Sequence, residues 1–290
     1  MNEGSITKRI TVPEAEEILG HEYPVLDHGF VRLVDYMGGD PAIVQAARVS
    51  YGDGTKKVSE DRGLIRTLMR DEHTSPFEMV ESKWHCKMPL FVARQWIRHR
   101  TASVNEISGR YSVMRDEFYI PEAEQVNLQS EDNKQGRSDQ SFSPEETKLI
   151  LFGFDDEQKG AYKRYIERID KGMARELARM NLPLSLYTEW YWKIDSHNLF
   201  HFLKLRMDKH AQYEIRQYAN VIATLTQRIA PLAWKAFEDY NLNSIRLSVP
   251  EMEAIKANIK LTVPENMNMK GLTEREQIGL LEKLRKITGN

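Results

Sequence analysis

Residues 80–100 constrain this chain more than any other stretch. Val80, Ser82, Trp84, Cys86 and Met88 fall on alternate positions, which predicts a strand with one buried side, because successive strand residues point to opposite faces. Pro89 suits the first turn of a helix. Leu90, Phe91, Ala93 and Ile97 then supply an apolar stripe that runs straight into Arg98-His99-Arg100. A segment of strand periodicity feeding into one of helix periodicity calls for a sheet and a helical layer together.

The same mixture recurs along the chain. Phe30 to Met37 is strand-like and ends at Gly38-Gly39-Asp40-Pro41, a turn signal. Ile43 to Val49 reads as a helix. Ser59, followed by two acids, starts another helix, whose apolar face is Leu64, Ile65, Leu68 and Met69. His73-Thr74-Ser75-Pro76 breaks it. Ser143-Pro144-Glu145-Glu146 opens a helix that runs towards Asp170, and Met173 to Asn181 is a shorter one. The aromatic run Leu184 to Ile194 reads as a strand. Ser196 caps a helix carrying Leu199, Phe202, Leu203 and Arg206, and Ala211 to Tyr240 is a long helical pattern. Thr273 to Glu276 is a capping box for a C-terminal helix. Residues 125–143 are polar and read as a surface loop or insertion. These signals describe an α+β protein with one domain and tails.

Charge and cysteine content narrow the function. There are 41 Lys and Arg against 43 Asp and Glu, a net charge of −2, which speaks against a protein whose business is holding a nucleic acid backbone. The single cysteine, Cys86, forbids an intramolecular disulfide and fits a reducing cytosol. Its place among Trp84 and Met88 reads as a core thiol rather than a nucleophile. No apolar run reaches the roughly 18 residues of a membrane span, and the polar N-terminus does not resemble a signal peptide. The expectation is a cytoplasmic protein that binds neither nucleic acid nor membrane.

Chemistry concentrates in Gln95 to Tyr111. From Lys87 to Arg110 there are five basic residues and one acid, Glu106. Ser103, Asn105 and Ser108 add short hydrogen-bonding groups, and Gly109 permits close backbone approach. Arginine forks and serine hydroxyls in a turn suit a phosphate, so the run reads as an anion-binding loop at a helix end. A solvated Arg-His-Arg face is the bland alternative, and the series of short polar residues that follows weakens it. His197 and His201, four apart on a helix, have metal-ligand spacing but no third ligand follows. No metal is expected.

The run from Arg98 to Arg110 carries Arg98, His99, Arg100, Ser103, Asn105, Ser108 and Arg110 at every fixed position of R-H-R-x-x-S-x-N-x-x-S-x-R. This resembles the signature of the flavin-dependent thymidylate synthases. Gly29-Phe30-Val31, Ala46 to Ser50, His73 to Glu78, Phe91 to Trp96, Glu176 to Arg179, Leu182-Pro183-Leu184 and Phe202 to Gln217 also resemble family segments. The resemblance covers about residues 27–240. It leaves residues 1–26 as an N-terminal extension, 125–143 as an insertion and 241–290 as a C-terminal extension.

The resemblance implies a thymidylate synthase-complementing protein-like fold, a mixed sheet flanked by helices, assembled as a homotetramer with shared active sites. It implies methylation of dUMP to dTMP, with 5,10-methylenetetrahydrofolate as carbon donor and FAD, reduced by NADPH, as hydride carrier. By similarity dUMP is bound by Gln95, Trp96, Ile97, Arg98, Glu106, Ile107, Ser108, Gly109, Arg110, Arg179 and Arg206. Arg206 is the catalytic candidate, because a guanidinium stabilises negative charge on a uracil ring. FAD is assigned to His73, Ser75, Arg98, His99, Arg100, Glu106, Asp195, His197 and His201. Asp195 stands where the family often has Asn, and some members differ at His201. There is no G-x-G-x-x-G after a strand, so the flavin is implied by the resemblance and not by a dinucleotide fingerprint.

Overall fold

A computed structural model describes residues 9–49, 58–131, 134–258 and 267–288. A short helix α1 (Pro13–Glu16) leads into the hairpin β1 (Glu22–Val25) and β2 (Gly29–Met37). Helices α2 (Asp40–Val49), α3 (Val58–Arg70) and α4 (Ser75–Glu78) follow, then β3 (Glu81–Pro89), α5 (Leu90–Trp96) and β4 (Ser103–Glu106). A hairpin of β5 (Asn127–Gln129) and β6 (Arg137–Ser141) precedes the long α6 (Pro144–Asp170) and short α7 (Arg175–Ala178). The chain continues through β7 (Tyr187–Asp195), α8 (Ser196–Arg206), α9 (Tyr213–Ile229), α10 (Pro231–Phe237), α11 (Val249–Asn258) and α12 (Glu274–Thr288).

The main sheet has the order β1-β2-β3-β7-β4. Every pairing is antiparallel, which corrects the expected mixed sheet. The excursions between β2 and β3, and between β3 and β7, each return the chain to the end of the sheet it left, so neighbouring strands run in opposite senses. One face of the sheet carries the core. Val31 and Leu33 of β2, Trp84, Cys86 and Met88 of β3, and Trp190, Trp192 and Ile194 of β7 are all buried. They meet Trp96, Phe202, Ile215, Tyr218 and Ile222 from α5, α8 and α9. Gly29 is required there: a Cβ would run into the Tyr218 hydroxyl and stand 2.8 Å from Lys87 O, the carbonyl that this hydroxyl donates to.

Several boundaries differ from the sequence reading, each for a local reason. β3 is covered on both faces, not one. His85 and Lys87 of its polar face are 8% exposed, and polar partners make that burial tolerable: His85 lies between Arg32 Nη2 at its Nδ1 and Glu189 Oε1 at its Nε2, the latter at 2.6 Å, and Lys87 Nζ pairs with Glu117 Oε2 at 2.7 Å. Pro89 ends β3 and stands as the N-cap of α5. The buried face of α5 is Val92, Ala93 and Trp96, while Ile97 is exposed. The segment 125–143 contains the β5–β6 hairpin. Asp195, not Ser196, caps α8, accepting from Asn198 N at 2.9 Å, as a carboxylate at a helix N-terminus should. The 211–240 pattern splits at Ala230-Pro231, since proline cannot donate into the ladder. Buried Asp40 then accepts from Leu232 N and Ala233 N at 2.7 and 2.9 Å, satisfying the start of α10. The capping boxes at Ser143/Glu146 and Thr273/Glu276 both form. Ser59 falls in a helix that begins at Val58, but its side chain lies outside the described residues.

Candidate active site

The end of α5 and the end of α8 meet at one point. Arg206, the last residue of α8, donates from Nε to His99 Nε2 at 3.0 Å and from Nη2 to the Gln95 carbonyl at 3.2 Å. A guanidinium can only donate, so His99 Nε2 is an acceptor and the ring proton sits on Nδ1. Burial, then the charges of Arg206 and His201, push the His99 pKa down to about 4, which keeps the ring neutral near pH 7. Burial also lowers the Arg206 pKa, and a guanidinium still remains charged at any physiological pH. The His99 ring stands edge-on to Phe202 at 5.0 Å and lies 5.9 Å from the ring of His201.

Beside this point α8 walls a cleft of about 430 Å³. Leu68, Met69, Phe77 and Phe237 form its apolar side; Thr74, His197, His201, Lys204 and Asn241 are among its polar groups, and Glu72 and Arg246 line it as an ion pair at 2.7 Å. His73 and Ser75 are exposed at the adjoining ends of α3 and α4. Both carboxylate oxygens of Asp195 are engaged by Asn198, Oδ1 by its backbone N–H and Oδ2 by Nδ2 at 2.8 Å. The negative charge is therefore held at the start of α8.

The second half of the signature lies elsewhere, at the sheet edge. β4 pairs with β7, and Ile107 N continues the ladder to Glu189 O at 2.9 Å. The chain then turns at Ser108, whose carbonyl accepts from Tyr111 N and Ser112 N, both at 3.1 Å, and whose hydroxyl accepts from Arg110 N at 3.3 Å. Arg179 lies against this turn: a Cβ on Gly109 would stand 3.1 Å from its Cδ. Arg110 pairs with Glu176 at 3.2 Å, and Glu106 accepts from Thr188 Oγ1 at 2.6 Å. Among the described residues the guanidiniums of Arg98, Arg100 and Arg179 make no hydrogen bond or ion pair. Such unengaged guanidiniums are suited to an anionic ligand.

The sequence-derived site thus falls into two groups. Gln95, His99, His201 and Arg206 are brought together, with His197 lining the adjoining cleft. Glu106, Ile107, Ser108, Gly109, Arg110 and Arg179 form the other group, and among the described residues no hydrogen bond or ion pair joins the two. Trp96 is fully buried among Trp190, Trp192, Phe202 and Tyr218, and its carbonyl accepts from His99 N at 3.0 Å. Sequence reasoning passed over Gln212, Glu214 and Arg137, which connect to Gln95. The one signal was an acidic residue on the otherwise apolar face of α9, next to Ile215 and in line with Tyr218.

An antiparallel α+β fold presenting an arginine-bound neutral histidine beside an apolar cleft, with a cationic turn at the sheet edge, describes a binding site for an anionic, partly aromatic small molecule. The sequence profile of the thymidylate synthase complementing protein family, Thy1, matches residues 32–232, and the chain belongs to that family. Its relatives include a flavin-dependent thymidylate synthase of Wolbachia pipientis wMel, 56% identical over 260 residues that cover 90% of each chain. Another, from Ehrlichia ruminantium (strain Gardel), is 52% identical over 284 residues, covering 97% of this chain and 94% of the relative. Among solved structures, the UMP/dUMP methylase PolB of Streptomyces cacaoi bound with 5-Br dUMP superposes with a TM-score of 0.69 at 33% identity, over 76% of this chain and 99% of that one.

Proposed function

We propose that this protein is a flavin-dependent thymidylate synthase that methylates dUMP to dTMP, with 5,10-methylenetetrahydrofolate as carbon donor and NADPH as reductant. The observation that carries the reading is the Arg206–His99 pair, set at the end of the family's signature. Arg206 is anchored through Nε and Nη2, which leaves Nη1 for a ligand. Its charge favours the uracil ionised at N3, and the electron-rich ring that results makes C5 the stronger nucleophile towards the carbon donor. A neutral His99 accepts from Arg206 without competing with it for an anion. Ser108, Gly109, Arg110 and Arg179 bind the dUMP phosphate, and Gln95 to Arg98, Glu106 and Ile107 complete the nucleotide site.

The cleft beside α8 fits FAD by its chemistry. An apolar side suits a flat ring system, and His197, His201, Lys204 and the nearby Arg98 and Arg100 suit a polar, anionic tail. With His73, Ser75, His99, Glu106 and Asp195 these are the residues that would hold it. When bound, FAD supplies the hydride; the chain orients, charges and shields the reactants.

The protein self-associates in this reading, as a homotetramer. Two observations support it. Among the described residues no hydrogen bond or ion pair joins the signature's two polar groups within one chain, and Leu149 and Phe152 of α6 are 70% and 67% exposed, with Met180 at 72% close to Arg179 in sequence. Large apolar side chains exposed one turn apart on a helix mark a surface that a partner covers. Light scattering on the purified protein checks this, and a monomer would refute it.

The test of activity is dTMP formation from dUMP, methylenetetrahydrofolate, NADPH and FAD, followed by chromatography. Product is expected from the wild type and none above background from Arg206→Ala. A wild type that binds dUMP and FAD yet makes no dTMP would overturn the reading.

A further inference from the structure

A chain of polar groups runs from Gln95 into the core and out to the β5–β6 hairpin. Gln95 Nε2 donates to Gln212 Oε1. Gln212 Nε2 donates to Glu214 Oε2 at 2.8 Å. Glu214 Oε1 accepts from the Tyr119 hydroxyl at 3.1 Å and from Arg137 Nη2. Glu214 is 1% exposed, and Arg137, on β6, is fixed in turn by donating from Nη1 to Gln125 O at 3.1 Å. All three groups around the Glu214 carboxylate are donors, and Arg137 supplies the cation without which a buried carboxylate is costly.

Direction is what this arrangement transmits. A carboxylate has no proton to give, so the NH₂ of Gln212 must face Glu214 and its Oε1 must face Gln95. Gln95 must then present its NH₂ to Gln212, which leaves its own Oε1 aimed away. An unconstrained glutamine amide can turn over by half a rotation and exchange donor for acceptor. Gln95 cannot do so while Glu214 is ionised, because turning it would set two carbonyl oxygens against each other. The 4-position and N3 of uracil present an acceptor and a donor. Cytosine presents the reverse pair. An amide of fixed direction can match one of them, whereas an amide free to turn can match both.

We propose that Glu214 is a positioning residue for pyrimidine recognition: through Gln212 it fixes which end of the Gln95 amide meets the base and so favours uracil over cytosine, with Arg137 of the β5–β6 hairpin holding its charge in place. This rests on the assignment of Gln95 to the dUMP site. It also gives the 125–143 insertion a role, since the hairpin delivers the cation that Glu214 needs.

The experiment is calorimetric titration of the full-length, FAD-loaded protein with dUMP and with dCMP. The wild type binds dUMP and discriminates against dCMP. Glu214→Gln, whose amide either donates or accepts, is expected to weaken dUMP binding about tenfold and to narrow the dUMP-to-dCMP ratio by about tenfold. Gln212→Met cuts the relay while leaving Tyr119 and Arg137 on Glu214, so it serves if the first variant does not fold, and the same narrowing is expected. Folded variants with the wild-type ratio, or with both nucleotides weakened equally, would overturn the proposal and leave Glu214 a purely structural group. A wild type that binds no dUMP would instead overturn the substrate assignment beneath it.

Discussion

The two halves of the signature are built in opposite ways. At the α5–α8 junction the groups are half-buried and tied to each other: Arg206 is bound to His99 and to the Gln95 carbonyl, and Gln95 to Gln212 and Glu214. At the sheet edge all four residues of β4 are exposed, the turn is held by backbone bonds, and Arg179 lies over Gly109 without a partner of its own. The first region has its geometry before a ligand arrives. The second has its backbone fixed by the ladder and the turn, while the guanidinium of Arg179 is left unengaged. Chemistry at a ring needs fixed direction, while holding a phosphate needs mainly charge and reach.

The largest effect is expected where the fixed geometry acts on the reaction. Arg206→Ala should lower kcat for dTMP formation by about a thousandfold while leaving the sheet intact. A loss of less than about tenfold would place the chemistry elsewhere. At the sheet edge the expected loss is smaller and falls on binding. Gly109→Val presses on Met114 Sδ and on Arg179 Cδ, already 3.0 and 3.1 Å from a Cβ. It should raise KM for dUMP about tenfold with kcat nearly unchanged. A fall in kcat at constant KM would show that this turn shares in catalysis.

A pH profile separates the regions further. The folded His99 pKa of about 4 lies below its usual value of 6.5, so between those limits the unfolded chain takes up a proton that the folded one refuses. Stability from this residue is intact above about pH 6.5 and is lost as pH falls towards 4. His99→Gln should flatten the melting-temperature profile in that window. Glu276 acts lower down. Burial raises its pKa, and hydrogen bonds from Tyr240, Thr273 and Arg66 outweigh this to give about 2 against the usual 4.5. Its contribution fades only below about pH 4.5. An unchanged slope between 6.5 and 4 in the His99 variant would contradict the neutral, buried ring. The smallest effect is expected from Glu176→Gln. The Arg110–Glu176 pair is 60% and 53% exposed, so the melting temperature should move by no more than about 2 °C.

Much of this was legible in the sequence because it is local. The alternation of Trp84, Cys86 and Met88, the capping boxes at Ser143 and Thr273, and the spacing from Arg98 to Arg110 are all set by near neighbours. What was hidden depends on distance. That the sheet is antiparallel throughout follows from where α2 to α4 return the chain. The split at Ala230-Pro231 could have been read from the proline, but its satisfaction by Asp40 spans 192 residues. Asp195 as the cap of α8 was missed because Ser196 is an equally good cap by residue type, and only the register of β7 decides between them. The relay through Glu214 left only one local trace, an acid on the apolar face of α9, because its partners Tyr119 and Arg137 come from segments remote in sequence. The same holds for α12, which docks through Arg66 on Glu276 at 2.6 Å, 210 residues apart.

A flavin held by this chain and acting on dUMP would be visible in its colour. The direct measurement is the absorbance spectrum of the purified, FAD-supplemented protein under anaerobic conditions, with NADPH added in the presence and absence of dUMP. A bound-flavin spectrum that bleaches with NADPH, faster when dUMP is present, is the expected result. A protein that takes up no FAD, or one whose flavin is indifferent to both NADPH and dUMP, would contradict it.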